Sequence, residues 1–94
     1  MNDEVLIARA DFLKMAGDYY RYWLEVYEGK DKGVMIEKCS QYYKSVLELL
    51  KVGRFAADPI RLGCGLNCCV FLFEIKGCEQ EAISVLSEIY RTAN

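Results

Sequence analysis

The chain has 94 residues, 53% hydrophobic and 13% aromatic, with 12 Lys and Arg against 14 Asp and Glu. A single small domain or a piece of a larger one fits that length, and the net charge of −2 with an isoelectric point near 5.1 excludes a general nucleic-acid binder, which needs a basic face to displace counterions. The longest oily segment, Leu62 to Phe73, is interrupted by Asn67, and "MNDEVLIARAD" carries acids where a secretion signal carries lysines. A soluble, cytoplasmic protein without membrane insertion is expected, and any basic site in it must be local.

Leu6, Ala10, Leu13, Gly17, Tyr20, Leu24 and Tyr27 recur at alternating spacings of four and three, which predicts an amphipathic helix over about 3–28, closed by Gly29 and "KDKG". Ile36, Cys39, Tyr43, Val46 and Leu50 repeat the pattern and predict a second helix over about 33–53, stopping near Gly53. Asp58-Pro59 is a start signal: a capping acceptor, then a proline whose fixed φ and missing N–H suit the first helical position. A third helix over about 59–76 ends at Lys76-Gly77, and Ala82, Leu86, Ile89 and Ala93 mark a fourth over about 79–93. Without an alternating segment or a hairpin dipeptide the chain reads as all-α. Short connections make an antiparallel four-helix array the expected arrangement, with a right-angled crossing as the alternative.

The third helix, "PIRLGCGLNCCVFLFEIKG", is apolar nearly all round and is expected to be central in its bundle. Asn67 and Glu74 are anomalous there, and both fall on the stripe Ile60, Gly63, Asn67, Val70, Glu74. A buried amide or carboxylate needs partners, so the pair either satisfies itself and a neighbouring helix or lines a groove. The first helix offers a matching face in "LKMAGDYYRYW", where Lys14, Asp18, Arg21 and Glu25 share one side. As a solvated face its ion pairs are worth about 0.2–0.5 kcal/mol each. As a site, Arg21 and Lys14 present local positive potential to an anion such as phosphate, Tyr22 adds a phenolic donor, and the acids hold the cations in place.

Other features have structural readings. The tyrosines suit helix interfaces rather than base stacking, since the acidic balance removes the electrostatic companion of such platforms. Trp23 reads as core or interface, Phe55 as the anchor of its linker, and Gly63 and Gly65 as points of close helix approach. Five cysteines, Cys39, Cys64, Cys68, Cys69 and Cys78, sit in helical apolar patterns and read as reduced, inert thiols. Cys64 and Cys68 have ligand spacing, but structural zinc takes four ligands and the chain has no histidine, so no metal is expected. Without histidine the commonest general base is absent as well, so a nonenzymatic binding role without a cofactor is favoured.

"LKMAGDYYRY" at 13–22 and "DPIRLGCGLNCCVFLFEI" at 58–75 closely resemble the 14-3-3 proteins, whose motifs have the forms Lys-Met-x-Gly-Asp-Tyr-Tyr-Arg-Tyr and Pro-x-Arg-Leu-Gly-Leu-Ala-Leu-Asn-Phe-Ser-Val-Phe. The resemblance runs from about Val5 onward and includes the weaker "EAISVLSEIYRTA". It implies a fragment from the C-terminal half of an all-α protomer, matching the fifth to eighth of nine helices. The helices that carry dimerisation and two further basic ligands, and the ninth helix, have no counterpart in the 94 residues. By resemblance the function is that of an adaptor that regulates clients by binding their phosphoserine or phosphothreonine motifs in an amphipathic groove, of which this chain carries part. Arg21 and Tyr22 would contact phosphate, Lys14 would add basic potential or reach the peptide backbone, Asn67 would bond the peptide main chain, Leu66 and Val70 would form apolar wall, and Asp18 and Glu74 would support the groove. Departures are Cys64, Gly65, Cys68 and Cys69 for the commoner Leu, Ala, Phe and Ser, and Trp23 for a leucine. The alternative is a helical interaction scaffold that has lost phosphate recognition and self-associates through exposed apolar surface.

Overall fold

The recurring apolar spacings are realised as four α-helices in the computed structural model, which describes residues 2–93. Helix α1 (Asp3–Val26) begins where the Asn2 side chain accepts the Val5 amide at 2.9 Å, and Asp3 and Glu4 lie at the positive end of the helix dipole. Helix α2 (Lys32–Leu49) is followed by a short 3-10 turn, Gly53–Phe55. Helix α3 (Pro59–Phe71) starts at the expected cap, with Asp58 Oδ1 accepting the Ile60 amide at 2.8 Å, and continues through a π turn, Leu72–Lys76. Gly77 closes it in the left-handed conformation at φ 72°, and Cys78 donates its amide back to the Leu72 carbonyl at 2.7 Å. Helix α4 is Glu79–Ala93, and no strand occurs among the described residues, so the fold is all-α as the sequence indicates.

Two helix ends differ from expectation. Helix α1 stops at Val26 because Tyr27 turns to extended backbone, and α2 stops at Leu49 rather than near Gly53. The early exit lets the chain turn at Val52 and bury Phe55, whose amide donates to the Val52 carbonyl at 2.9 Å. Phe55 thus anchors the linker.

Helix directions follow from the contacts. Gly17 faces Cys39 and Tyr43 while Asp3 holds Arg54 at 3.1 Å, so α1 and α2 are antiparallel. Gly65 faces Ile89 while the Arg61 guanidinium donates to Thr92 Oγ1 at 2.6 Å, so α3 and α4 are antiparallel too. Glycine is required at both crossings: a Cβ on Gly17 would lie 2.8 Å from Tyr43 Cε1, and one on Gly65 would lie 2.7 Å from Ile89 Cγ1. The other member of the expected glycine pair is looser, with only Lys14 Cε at 3.4 Å from a Cβ on Gly63.

The core gathers Ala10, Leu24, Cys39, Tyr43, Val46, Leu50, Cys64, Cys68, Phe71 and Leu72. The molecule measures 40 × 27 × 15 Å. Helices α1, α2 and α3 pack against one another and α4 packs on α3, so α3 is central as expected, yet it keeps an open side: Cys64, Cys68 and Phe71 are buried, while Leu66, Val70 and Phe73 are exposed. Leu86 is exposed as well, and Val85 packs against the core beside buried Ala82 and Ile89 instead. Ala93, the last member of the expected α4 stripe, lies outside the described side chains. Trp23 is not core but about half exposed. No helix among the described residues is long and apolar enough to cross a membrane.

Candidate functional site

The polar residues singled out on α1 and α3 meet at one carboxylate. Lys14, Asp18 and Arg21 sit four and three residues apart on α1, so their side chains overlie one another. Asp18 Oδ2 accepts Lys14 Nζ at 3.0 Å, and Oδ1 lies 3.9 Å from an Arg21 terminal nitrogen. Asn67 on α3 donates its amide to the same Oδ1 at 2.9 Å. The anomalous amide is thus satisfied by the neighbouring helix, one of the two arrangements its position allowed.

A fourth member comes from α2. The Tyr43 hydroxyl donates to Asp18 Oδ1 at 2.6 Å and accepts from Arg21 Nε at 3.1 Å, bridging the carboxylate and the guanidinium. Sequence reasoning placed Tyr43 on the buried α2 stripe and stopped there. The available signal was its type: among Ile36, Cys39, Val46 and Leu50 it alone carries a hydroxyl, and a buried phenol needs a partner.

The electrostatics follow from this geometry. Burial works to raise the Asp18 carboxyl, but the hydrogen bonds from Tyr43, Lys14 and Asn67 and the Lys14 charge outweigh it and hold the group below its ordinary 3.8. Burial opposes the Arg21 charge, and its bond to Tyr43 with the nearby Asp18 charge overcomes that, so the guanidinium is held more firmly charged. Burial and the bond to Asp18 push the Tyr43 phenol well above its usual value, keeping it a proton donor. Two cations against one carboxylate leave the cluster one net positive charge.

Donors and acceptors remain free. Arg21 uses only Nε in a hydrogen bond, so its terminal nitrogens make none among the described residues. The Asn67 side-chain oxygen has no hydrogen bond there either. Tyr22 is exposed, and the Arg21 guanidinium carbon lies 4.9 Å from its ring centre, a cation–π contact. Beyond Asn67, Leu66 and Val70 are exposed on α3, and Val70 joins Phe73, Ile83 and Leu86 in an apolar hollow of about 280 Å³ between α3 and α4.

Glu74, on the π turn that follows α3, lines that hollow and is solvent-exposed, and it forms no ion pair among the described residues. The cysteines behave as core: burial pushes Cys39, Cys64 and Cys68 up to about 12, so these thiols stay protonated. Among the described residues no group of three or more His, Cys, Asp or Glu side chains converges as a metal site.

A 14-3-3 protein family model matches residues 3–94. The chain is 38% identical over 82 residues to 14-3-3-like protein 2 of Caenorhabditis elegans, covering 87% of this chain and 33% of that protein. It is 36% identical over 92 residues to 14-3-3 protein eta of Homo sapiens, and equally to that of Mus musculus, covering 98% of this chain and 37% of each relative. The chain spans about a third of the length of these curated relatives. With a family match along nearly all of its length and an arrangement that joins both motifs at Asp18, this chain belongs to the 14-3-3 protein family.

Proposed function

We propose that this chain supplies one side of a groove for phosphoserine or phosphothreonine peptides, and that in function it is an adaptor for phosphorylated clients rather than an enzyme. It corresponds on this reading to the fifth to eighth helices of a protomer. The observation that carries the reading is the Arg21 guanidinium: Tyr43 and Tyr22 hold it while its terminal N–H groups stay free. A planar fork of free donors suits phosphate oxygens. Lys14 and the Tyr22 hydroxyl complete the grip, the Asn67 oxygen accepts a peptide N–H, and Leu66 and Val70 receive apolar side chains. Asp18 orients the cations and does not touch the ligand.

Calorimetric titration with a phosphoserine peptide and its unphosphorylated twin at low and moderate salt tests this. Only the phosphorylated form is expected to bind, more weakly as salt rises. Arg21→Ala removes charge-assisted bonds worth roughly 1.5–3 kcal/mol each, so binding should fall at least tenfold. Equal behaviour of the two peptides would instead support the second reading, a helical scaffold without phosphate recognition. The observation favouring that reading is that Lys14 and Arg21 both already face Asp18.

A further inference from the structure

Among the described residues one charged side chain is buried, and it has no counter-charge. Arg61 on α3 is 5% exposed, yet its guanidinium donates only to neutral acceptors, the Ala56 carbonyl at 2.8 Å and Thr92 Oγ1 at 2.6 Å. Its Nε is buried as well and donates to nothing. Buried charges are ordinarily paired, because neutral hydrogen bonds alone do not repay the loss of water around an ion.

Arg61 lines a cleft of about 430 Å³ between α2 and α4, a volume within the roughly 300–1,000 Å³ of small-molecule sites. Leu47 of α2 and Val85 and Ile89 of α4 form its apolar walls, and Ser84 is exposed at its edge. The two acids that border the cleft are engaged with other cations, Glu48 with Lys51 at 3.7 Å and Glu88 with Arg91 at 2.9 Å. Lys44, also on the border, is held by Glu81 at 3.1 Å. Lys44, Lys51 and Arg61 against Glu48 and Glu88 leave the lining one net positive charge. The three helices that enclose the cleft all belong to this chain, and it shares no residue with the cluster around Asp18.

We infer that this cleft binds a small carboxylic acid with an apolar body, its carboxylate on Arg61 and its hydrocarbon against Leu47, Val85 and Ile89. The orphaned Nε–H of a buried guanidinium selects an anion, and a planar carboxylate can accept in parallel from Nε and a terminal nitrogen. The charge of the lining selects a monoanion: a single negative charge neutralises it, whereas a phosphate dianion would leave an excess facing Glu48 and Glu88. The inference stands apart from the phosphopeptide reading and does not depend on it.

The Arg61 Nε–H resonance in a proton–nitrogen correlation spectrum of the chain tests it, titrated near neutral pH with octanoate, acetate, 1-octanol and inorganic phosphate. Octanoate is expected to shift that resonance saturably. Acetate, which has the carboxylate without the apolar body, should bind at least roughly tenfold more weakly, and octanol and phosphate should leave the resonance in place. Ser84→Trp obstructs the cleft from an exposed position and should weaken octanoate binding at least roughly tenfold with unchanged far-UV circular dichroism. Thr92→Asp puts a carboxylate where a hydroxyl already meets the guanidinium, so it should raise the thermal midpoint and abolish the octanoate shift. A resonance that octanoate leaves unmoved, or moves no more than octanol does, overturns the site. Acetate or phosphate binding as tightly as octanoate overturns the ligand class, and undiminished octanoate binding in Ser84→Trp or Thr92→Asp overturns the location.

Discussion

Asp18 holds three helices through one carboxylate, taking Lys14 on its own helix, Tyr43 from α2 and Asn67 from α3. Tyr43→Phe keeps the ring but removes the hydroxyl that bridges Asp18 and Arg21. A loss of ~1–2 kcal/mol in urea denaturation is expected, with weaker phosphopeptide binding as Arg21 loses its support. Acid titration gives an independent check. Because folded Asp18 sits below 3.8, the unfolded chain takes up a proton that the folded chain resists, so this group's stabilisation is complete above about pH 5 and is lost as pH falls through the folded value. Asp18→Asn should lower stability at neutral pH and flatten its decline with acid, measured by denaturation across that window. The Lys14, Asp18, Arg21 alignment was legible from spacing. Tyr43 was not, because its partners lie 22 and 25 residues away on another helix.

At the scale of elements, the two glycines of α3 separate packing from propensity. Gly65→Ala puts a methyl 2.7 Å from Ile89 Cγ1 and should destabilise by ~1–3 kcal/mol through overpacking, partly relieved in the double variant with Ile89→Val. Gly63→Ala meets only the flexible end of Lys14 at 3.4 Å and should stabilise by ~0.5–1 kcal/mol through helix propensity, both read by thermal unfolding. The sequence marked both as points of close approach, yet only the packing of α4 distinguishes them. Helix starts were more legible than helix ends: Asp58-Pro59 caps α3 through local chemistry, whereas α2 ends at Leu49 because Phe55 must reach a core made by other segments.

Over the whole molecule the controlling fact is the small number of helices. Each helix buries one face against its neighbours, and Phe12, Tyr19, Leu66, Val70 and Phe73 stay exposed. The cysteines report the same division chemically. Cys39, Cys64 and Cys68 lie in the core with thiols pushed up to about 12, while Cys69 and Cys78 are only partly covered. A brief neutral alkylation followed by mass spectrometry should modify Cys69 and Cys78 ahead of the other three, and denaturant should expose all five. Preferential labelling of Cys39, Cys64 or Cys68 in the folded chain would mean that the core opens.

The sequence by itself determined the four helices, the cap of α3 and the family, because periodicity, capping chemistry and motif order are local and survive without knowledge of neighbours. It also brought Lys14, Asp18 and Arg21 onto one face, since four- and three-residue steps return to the same side of a helix. Tertiary structure alone decided that Tyr43 joins them, that Glu74 faces solvent and that α3 has an open side. Those outcomes depend on which helices lie on which flank, and the apolar spacing of one helix does not encode how many neighbours will cover it.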